Sequence, residues 1–213
     1  YAPSAPDLKG VHVRGGDYVN AELGLIMDKP SITGDAIKHY KKLAMGKRAL
    51  AFGVNIKHSQ HIAEQFRNAG IMAVHIDGET PHDDRIIAFK AFAKRDIQVI
   101  SSVALFCEGF DLSSQIGEEV PIEADISLRP TESFSLHRQQ VGRCLRKKPY
   151  PAIILDHAGN TLKHGLPDDD IEWTLEGRKK GKGKSESSVP IRMCPNCFFV
   201  QKPAPVCPNS GVE

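Results

Sequence analysis

Short apolar runs alternate along the chain with stretches in which apolar residues recur every three or four positions. Each run is short enough, and apolar enough, for a strand that is buried on both faces of a sheet. The runs fall at 48–54, 71–76, 97–101, 122–128 and 152–156. The pattern therefore predicts five strands.

Helices are predicted between these runs. In the second of them Ile62, Phe66 and Ala69 fall on one face, which would pack on the sheet. Strict alternation of strand and helix implies right-handed crossovers and a parallel sheet covered on both faces. The predicted helices span about 34–44, 57–69, 81–94 and 131–146. We therefore expect a three-layer α/β domain with its ligand chemistry at the carboxyl ends of the strands.

The segments that flank this alternation differ from it in composition. Residues 1–30 are rich in Pro, Gly and Asp and have little periodicity, so they are expected to pack against the domain as a lead-in. After the domain at 31–165, residues 166–190 change from acidic to basic and then to Gly, Lys and Ser, which is typical of a capping element followed by a flexible linker. Residues 191–213 form a cysteine-bearing tail.

The charge of the chain is unevenly distributed. Residues 1–176 carry 21 Lys and Arg against 24 Asp and Glu, a net charge of −3, whereas residues 177–213 carry 7 against 2, a net charge of +5. A basic end of this kind indicates either a polyanionic partner such as nucleic acid or a solvated linker. No apolar run is long enough for a membrane span and no secretory leader is present, so no membrane partner and a cytoplasmic location are expected.

Three of the five cysteines lie close together in the tail. Cys194 and Cys197 form a Cys-x-x-Cys turn and Cys207 follows, whereas Ser210 stands where a fourth ligand would fall. Paired knuckles of this kind hold Zn²⁺ in zinc ribbons. Serine is a poor zinc ligand, so a site completed by water or by a histidine and a tail without metal both remain open.

Four histidines stand near two predicted helix starts. They are His58, His61, His75 and His82. They lack the spacing to carboxylates that a metal site would show, so surface or capping roles are expected.

The loop after the predicted strand at 97–101 contains Gly109 and Asp111. Glycine allows a ligand to approach the backbone closely, and a carboxylate two residues later can accept from a ribose hydroxyl or orient an arginine. An ordinary turn would have the same composition.

Basic and polar residues are concentrated in the stretch "RQQVGRCLRKK" at 138–148. On the predicted helix Arg143 and Arg146 share a face, to which Gln139 also belongs. Two neighbouring guanidinium groups repel each other unless an anion lies between them, and Gly142 would allow close approach. A nucleoside triphosphate would meet this demand. The competing interpretation is a solvated basic patch.

Together the two stretches resemble a known family. "EGFDL" followed by "QQVGRCLR" is similar to motifs V and VI of superfamily 2 helicases of the DEAD/DEAH type, in which Gly-x-Asp precedes Gln-x-x-Gly-Arg-x-x-Arg in the second RecA-like domain. "ALAFGV" with "NIKHSQHIAEQF" resembles motif IV, and "HIDGETPHDDR" resembles the glycine loop of the family. The resemblance covers about residues 33–165. It implies a RecA-like fold and the C-terminal motor domain of a DNA repair helicase of bacterial or phage type.

The resemblance also implies roles for individual residues. ATP, with Mg²⁺, would lie between this domain and an N-terminal RecA-like domain, and Arg143 and Arg146 would contact its γ-phosphate. The other nucleotide-site residues would be Gly109, Asp111, Gln139 and Gly142. The expected partner is nucleic acid, and DNA in particular, bound through its phosphates. The candidates for phosphate contact are Asn55, Lys57, Ser101 and Ser102.

Two motifs of a complete motor are absent from the sequence. Neither a Gly-x-x-x-x-Gly-Lys-Ser/Thr loop nor an acidic Asp-Glu-x-His/Asp motif occurs. This chain alone is therefore expected to be inactive and to contribute to ATP hydrolysis only with its partner domain. The alternative is a non-catalytic nucleic-acid-binding module that uses the RecA-like fold as a platform.

Overall fold

The computed structural model describes residues 1–103, 111–169 and 190–212. Gly109 lies outside the described residues, as does most of the capping element and linker. The elements, in chain order, are β1 (Val13–Arg14), β2 (Asp17–Tyr18), α1 (Asn20–Met27), α2 (Pro30–Leu43), β3 (Ala49–Phe52), α3 (Ile56–Asn68), β4 (Ala73–His75), α4 (His82–Ala93), β5 (Val99–Ser102), α5 (Leu112–Ile116), β6 (Ala124–Ser127), α6 (Phe134–Gly142), β7 (Ile153–Asp156), α7 (Asn160–His164), β8 (Arg192–Met193) and β9 (Val200–Gln201).

All five predicted strands are present and form one parallel sheet in the order β4-β5-β3-β6-β7. β3 is central, and its residue Ala51 lies opposite Ser101 of β5 and Ile126 of β6. Because β3 pairs with strands that come later in the chain, the loops after β3, β5 and β6 leave the sheet side by side. The predicted α/β fold is confirmed.

Side chains on the two faces of the sheet form two separate cores. Along β3, Ala49 and Ala51 face the helices α2 and α3, whose Tyr40 and Phe66 are fully buried in the same cluster. Leu50 belongs to the opposite cluster, with residues of α4. Alternate residues of a strand point to opposite faces, so each face receives its own helical layer.

The helix predicted at 131–146 is shorter in the structure. It begins after Ser133, whose side chain caps the first turn by accepting from the Leu136 N–H, and it ends at Gly142. The N–H groups of Arg143 and Cys144 donate three residues back, to Gln140 and Val141, which tightens the last turn. Arg146 therefore lies outside the helix, and the prediction that it shares a helical face with Arg143 is wrong.

The lead-in forms a small hairpin of β1 and β2 followed by α1. Leu23 and Met27 of this helix are buried against Val54. Its eight residues bury one short apolar row, which explains why periodicity alone does not reveal it.

The tail contains a hairpin of the two-residue strands β8 and β9, which pair antiparallel. No helix within the described ranges is long and apolar enough to cross a membrane.

Candidate functional site

Asp111 and Arg146, which lie 35 positions apart, form an ion pair with 2.6 Å between Oδ1 and Nη1. The hydrogen bond from Arg146 lowers the pKa of the Asp111 carboxyl, and the charge of Arg143 acts in the same direction. Both side chains of the pair are partly exposed, at 39% and 54%. The carboxylate therefore stays ionised and orients a guanidinium group that solvent and a ligand can still reach.

A small pocket lies beside this pair. Its floor is apolar and includes Leu50, Val120 and Ile122, and its rim is basic. The polar lining contains four cations and two carboxylates, namely Arg143, Arg146, Lys147, Lys148, Asp111 and Glu119. A concave surface with an apolar floor and several cations suits a phosphorylated ligand with an aromatic or aliphatic part.

The position of the pocket differs from the sequence expectation. Val120 and Ile122 lead into β6, so the pocket lies beside the beginning of that strand and not at the carboxyl ends of the sheet. The reason is the direction of α6, which packs as a crossover between parallel strands and returns the chain toward their amino ends. The residues after the last turn of α6, including Arg146, therefore lie near the amino ends of the strands.

Gln139 and Gly142 lie in the last turn of α6, before the two arginines. A Cβ atom on Gly142 would meet no other atom within 4 Å, so the packing of the described residues leaves space there. Gln139 is partly exposed, whereas its neighbour Gln140 is 1% exposed and both polar atoms of its side-chain amide lack a hydrogen-bond partner in the part of the chain that the structure describes. The sequence pattern singles out Gln139 for ligand contact and offers no sign that Gln140 is the buried one.

The residues predicted to contact nucleic acid after β3 occupy the start of α3. The Asn55 Oδ1 accepts from the His58 N–H at 2.9 Å and caps the helix, so this oxygen already has a structural partner. Lys57 is exposed in the first turn. The N-terminus of a helix with an exposed lysine is suited to bind a phosphate.

Ser101 and Ser102, at the end of β5, are buried. The hydroxyl of Ser101 lies 2.7 Å from that of Ser59, which in turn lies 2.7 Å from the His75 Nδ1. The phosphate contact predicted for the two serines stays a prediction, and their burial counts against a contact through the side chains.

This buried chain of hydrogen bonds continues to the loop after β4. The His75 Nε2 lies 3.0 Å from an oxygen of Asp77. Burial would raise the pKa of Asp77, but hydrogen bonds with His75 and Thr80 outweigh it and lower the pKa. His75 thus links α3 to the strand-end loop.

Another of the four histidines is also internal. His58 is fully buried, and its Nδ1 accepts from the Val54 N–H at 3.2 Å. Burial lowers its pKa to about 4. Of the two expected roles, burial excludes the surface one for His58, whose ring instead accepts from the backbone just before α3, whereas His82 is exposed as expected.

The tail brings its three cysteines together. The Sγ atoms of Cys194, Cys197 and Cys207 lie within 4.8 Å of one another, and Cys197 is 3.7 Å from Cys207. The Ser210 Oγ lies 3.4 Å from the Cys194 Sγ, in the place of a fourth ligand. The two turns have the same sequence up to this last position, Cys-Pro-Asn-Cys and Cys-Pro-Asn-Ser. The structure therefore has the shape of two knuckles that face each other.

The electrostatics of the knuckles favour thiolates. A hydrogen bond from Ser210 and then backbone donors lower the pKa of Cys194 to about 6, and the pKa of Cys207 is lowered by Ser210 as well. Thiolates are the form in which cysteine binds metal. Donor chemistry and spacing at this site therefore fit a metal ion such as Zn²⁺.

The fold and the arginine-bearing segment after α6 define a RecA-like domain of the superfamily 2 helicase type. The family model "Helicase conserved C-terminal domain" matches residues 29–148, which is more than half of the chain. The chain belongs to this family. Its place in the motor is that of the C-terminal helicase domain.

Two curated relatives extend the match beyond the domain. A 51.5 kDa protein of Lactococcus phage (isolate 7-9) is 34% identical over 200 residues, which is 92% of this chain and 42% of that protein. The candidate ATP-dependent helicase IRC3 of Saccharomyces cerevisiae is 29% identical over 195 residues, which is 84% of this chain and 27% of that protein. The chain thus spans less than half the length of these relatives.

Solved structures agree on the fold. The C-terminal domain of the DEAD-box protein Dbp5 has a TM-score of 0.51 at 10% identity, covering 63% of this chain and 76% of that one. The Escherichia coli DEAD-box protein SrmB, in complex with RraA, has a TM-score of 0.50 at 18% identity, covering 61% and 72%. At such identities the likeness shows the fold alone.

Proposed function

We propose that this chain is the second motor domain of an ATP-dependent helicase or translocase that acts on DNA. In this proposal the domain completes an ATP site with an N-terminal RecA-like domain and supplies that site with arginines. The observation that carries the proposal is the ion pair of Asp111 with Arg146 on the basic rim of the pocket.

The chemistry of phosphoryl transfer explains why arginines are needed. Charge develops on the γ-phosphate oxygens, and an arginine that contacts them accelerates the reaction by about 10³ to 10⁵ in known cases of phosphoryl transfer. In this proposal Arg143 and Arg146 contact the γ-phosphate, and Asp111 holds the Arg146 side chain in a ready orientation. Gln139, Gly142 and Gly109 would line the nucleotide. Mg²⁺ would accompany ATP through ligands of the partner domain.

Strand binding would use the start of α3. Lys57 is exposed there, and Asn55 can donate through its amide nitrogen, since its oxygen caps the helix. Ser101 and Ser102 stay candidates by their place at the end of β5, which pairs with the end of β3 just before α3. Contacts to phosphates carry no sequence information, so binding would be sequence-tolerant and would weaken as salt is added.

The tail is proposed to bind Zn²⁺ through Cys194, Cys197 and Cys207. The spacing of the three Sγ atoms and the presence of knuckle turns support this. Cysteines that serve as ligands need to stay reduced, which suits the cytoplasm.

The test of the motor function uses a polypeptide in which this chain follows its own first RecA-like domain. We expect single-stranded DNA to stimulate ATP turnover, and Arg146→Ala to lower kcat by a factor of about 10³ with little change in KM. Arg146→Lys keeps the charge but loses the planar fork of donors, so its kcat should be only slightly higher than that of Arg146→Ala. Lys42→Ala, a change at an exposed cation of α2, serves as the control.

Three outcomes are informative. Unchanged turnover with Arg146→Ala would refute the role of that arginine. Absence of turnover in the unaltered two-domain polypeptide, with nucleic-acid binding retained, would favour the non-catalytic platform. Stimulation by RNA and not by DNA would refute the DNA preference alone.

A further inference from the structure

The lead-in starts on the free edge of the sheet. The main-chain nitrogen of Tyr1 donates to the Ile154 carbonyl at 2.8 Å, and the Asp156 N–H donates to the Tyr1 carbonyl at 2.8 Å. β7 is the outermost strand on this side, so these bonds occupy backbone groups that would otherwise be open. The Ser4 hydroxyl, 2.9 Å from the His157 Nδ1, attaches the lead-in once more just beyond the strand.

The tail contacts the lead-in from the opposite side. The Ala2 N–H donates to the Phe198 carbonyl at 2.9 Å, and Ala2 is 2% exposed. The ring of Tyr1 packs edge to face on Phe199 with 5.5 Å between centroids, and its hydroxyl donates to the Asn209 Oδ1 at 3.1 Å. Phe199 follows the first knuckle and Asn209 belongs to the second, so the first residues of the lead-in lie between β7 and both knuckles.

The Phe198 carbonyl, which accepts from Ala2, is held in place by the first knuckle. Phe198 has a φ of 62°, in the left-handed region that non-glycine residues adopt at a cost of roughly 1 to 2 kcal/mol. Two hydrogen bonds with Cys194 close the turn around it, from the Phe198 N–H to the Cys194 carbonyl and from the Cys194 N–H to the Phe199 carbonyl. Coordination of Cys194 and Cys197 to one ion would fasten both corners of this turn and keep the Phe198 carbonyl directed at Ala2.

We propose that the tail is a metal-dependent clamp on the lead-in. With a metal ion bound, the knuckles hold Tyr1 and Ala2 against β7, and loss of the ion releases them. The inference rests on the proposed zinc binding of the tail. In the proposed two-domain motor the lead-in would join this domain to the first RecA-like domain, so the ion would determine where that connection leaves the sheet.

The experiment measures amide exchange by NMR in this chain, with one equivalent of Zn²⁺ and after chelation. The reporters are the N–H groups of Ala2 and Asp156, which bond across the lead-in, and the Gly53 N–H, which bonds within the central sheet, is the internal reference. We expect exchange at Ala2 and Asp156 to slow at least tenfold with zinc, while Gly53 stays unchanged. Zinc content is measured separately by mass spectrometry of the metal.

Variants separate the ion from the clamp. Cys194→Ala should abolish zinc retention and the zinc effect on exchange, whereas Cys144→Ala, a change at a buried cysteine outside the tail, should keep both. Phe199→Ala should retain zinc but lose protection at Ala2, because the Tyr1 ring loses its packing partner.

Each result decides one step. Zinc retained at the cysteines with unchanged exchange at Ala2 and Asp156 would overturn the clamp and leave the metal site standing. A chain that retains no zinc would overturn the metal site and the clamp together. Neither result bears on the arginines, which are tested by ATP turnover.

Discussion

Asp17 of the lead-in and Arg129 of the loop before α6 form an ion pair, with 3.0 Å between Oδ2 and Nη2 across 112 positions of sequence. The other carboxylate oxygen of Asp17 accepts from the Thr131 hydroxyl at 2.9 Å and the Glu132 N–H at 2.8 Å. The side chains of the pair are mostly buried, at 21% and 12% exposure. The lead-in is thereby attached to the loop that positions α6 and the arginines after it.

Removal of this charge should destabilise the domain. Asp17→Asn keeps the size of the side chain but weakens the bond to Arg129 and leaves that cation poorly compensated, so we expect a loss of about 1 to 3 kcal/mol in the free energy of unfolding. Urea denaturation measures it. Asp83→Asn, at a side chain that is 99% exposed, should change the midpoint little. Equal midpoints for the two variants would contradict the structural role of Asp17.

The buried hydroxyl of Ser59 should matter in the same way. Ser59→Ala would leave the Ser101 hydroxyl and the His75 Nδ1 without their common partner, which we expect to lower stability by about 1 to 3 kcal/mol. Ser31→Ala, at an exposed position of α2, is the matched control. Thermal unfolding of both proteins measures the difference. A Ser59→Ala protein as stable as its control would show that the hydrogen bonds from Ser59 to Ser101 and His75 do not stabilise the fold.

Three buried histidines should make the fold sensitive to acid. Burial lowers the pKa of His58 to about 4 and those of His137 and His157 to about 3 from an ordinary 6.5. As pH falls from 6.5 toward 4, the unfolded chain takes up protons that the folded chain does not, so stability decreases. Each histidine contributes at most about 1.4 kcal/mol per pH unit. Above pH 6.5 these imidazoles are neutral in both the folded and the unfolded chain, so no stability is lost there.

His137 offers the sharpest check of that slope. Among the described residues neither ring nitrogen has a hydrogen-bond partner, so His137→Leu removes a titrating group without breaking a bond there. The variant should be at least as stable as the wild type at pH 7 and should lose less stability between pH 6.5 and 4. Urea titrations at several pH values provide the comparison, and a parallel pH dependence would refute a buried neutral imidazole at this position.

Salt dependence tests the proposed strand contact. Lys57→Ala should weaken binding to a single-stranded oligonucleotide and reduce the slope of log affinity against log salt by about 0.7, because one phosphate contact is lost. Fluorescence anisotropy at four salt concentrations measures the slope. Lys42→Ala should leave the slope unchanged, because Lys42 lies in the last turn of α2, which leads to the amino end of β3 and not to its carboxyl end. An unaltered slope for Lys57→Ala would show that the nucleic acid does not contact Lys57.

The sequence by itself determined the elements of this protein. Burial of Ile62 and Phe66 on one face of α3, and the apolar run that becomes β3, follow from the spacing of neighbouring residues, which is a local property. The alternation of these elements also determined the parallel α/β sheet. The motif around Gln139 and Arg143 identified the class of the domain, since its order along the chain is itself the signal.

Only the tertiary structure decided which distant residues meet. The pairing of Arg146 with Asp111 depends on where α6 ends, and that end is set by a tightened last turn and a buried Cys144. The pairing of Asp17 with Arg129 joins segments that share no pattern. Such contacts arise when whole elements pack together, and the free energy of that packing depends on residues far apart in the chain. The periodicity of neighbouring residues therefore does not predict them.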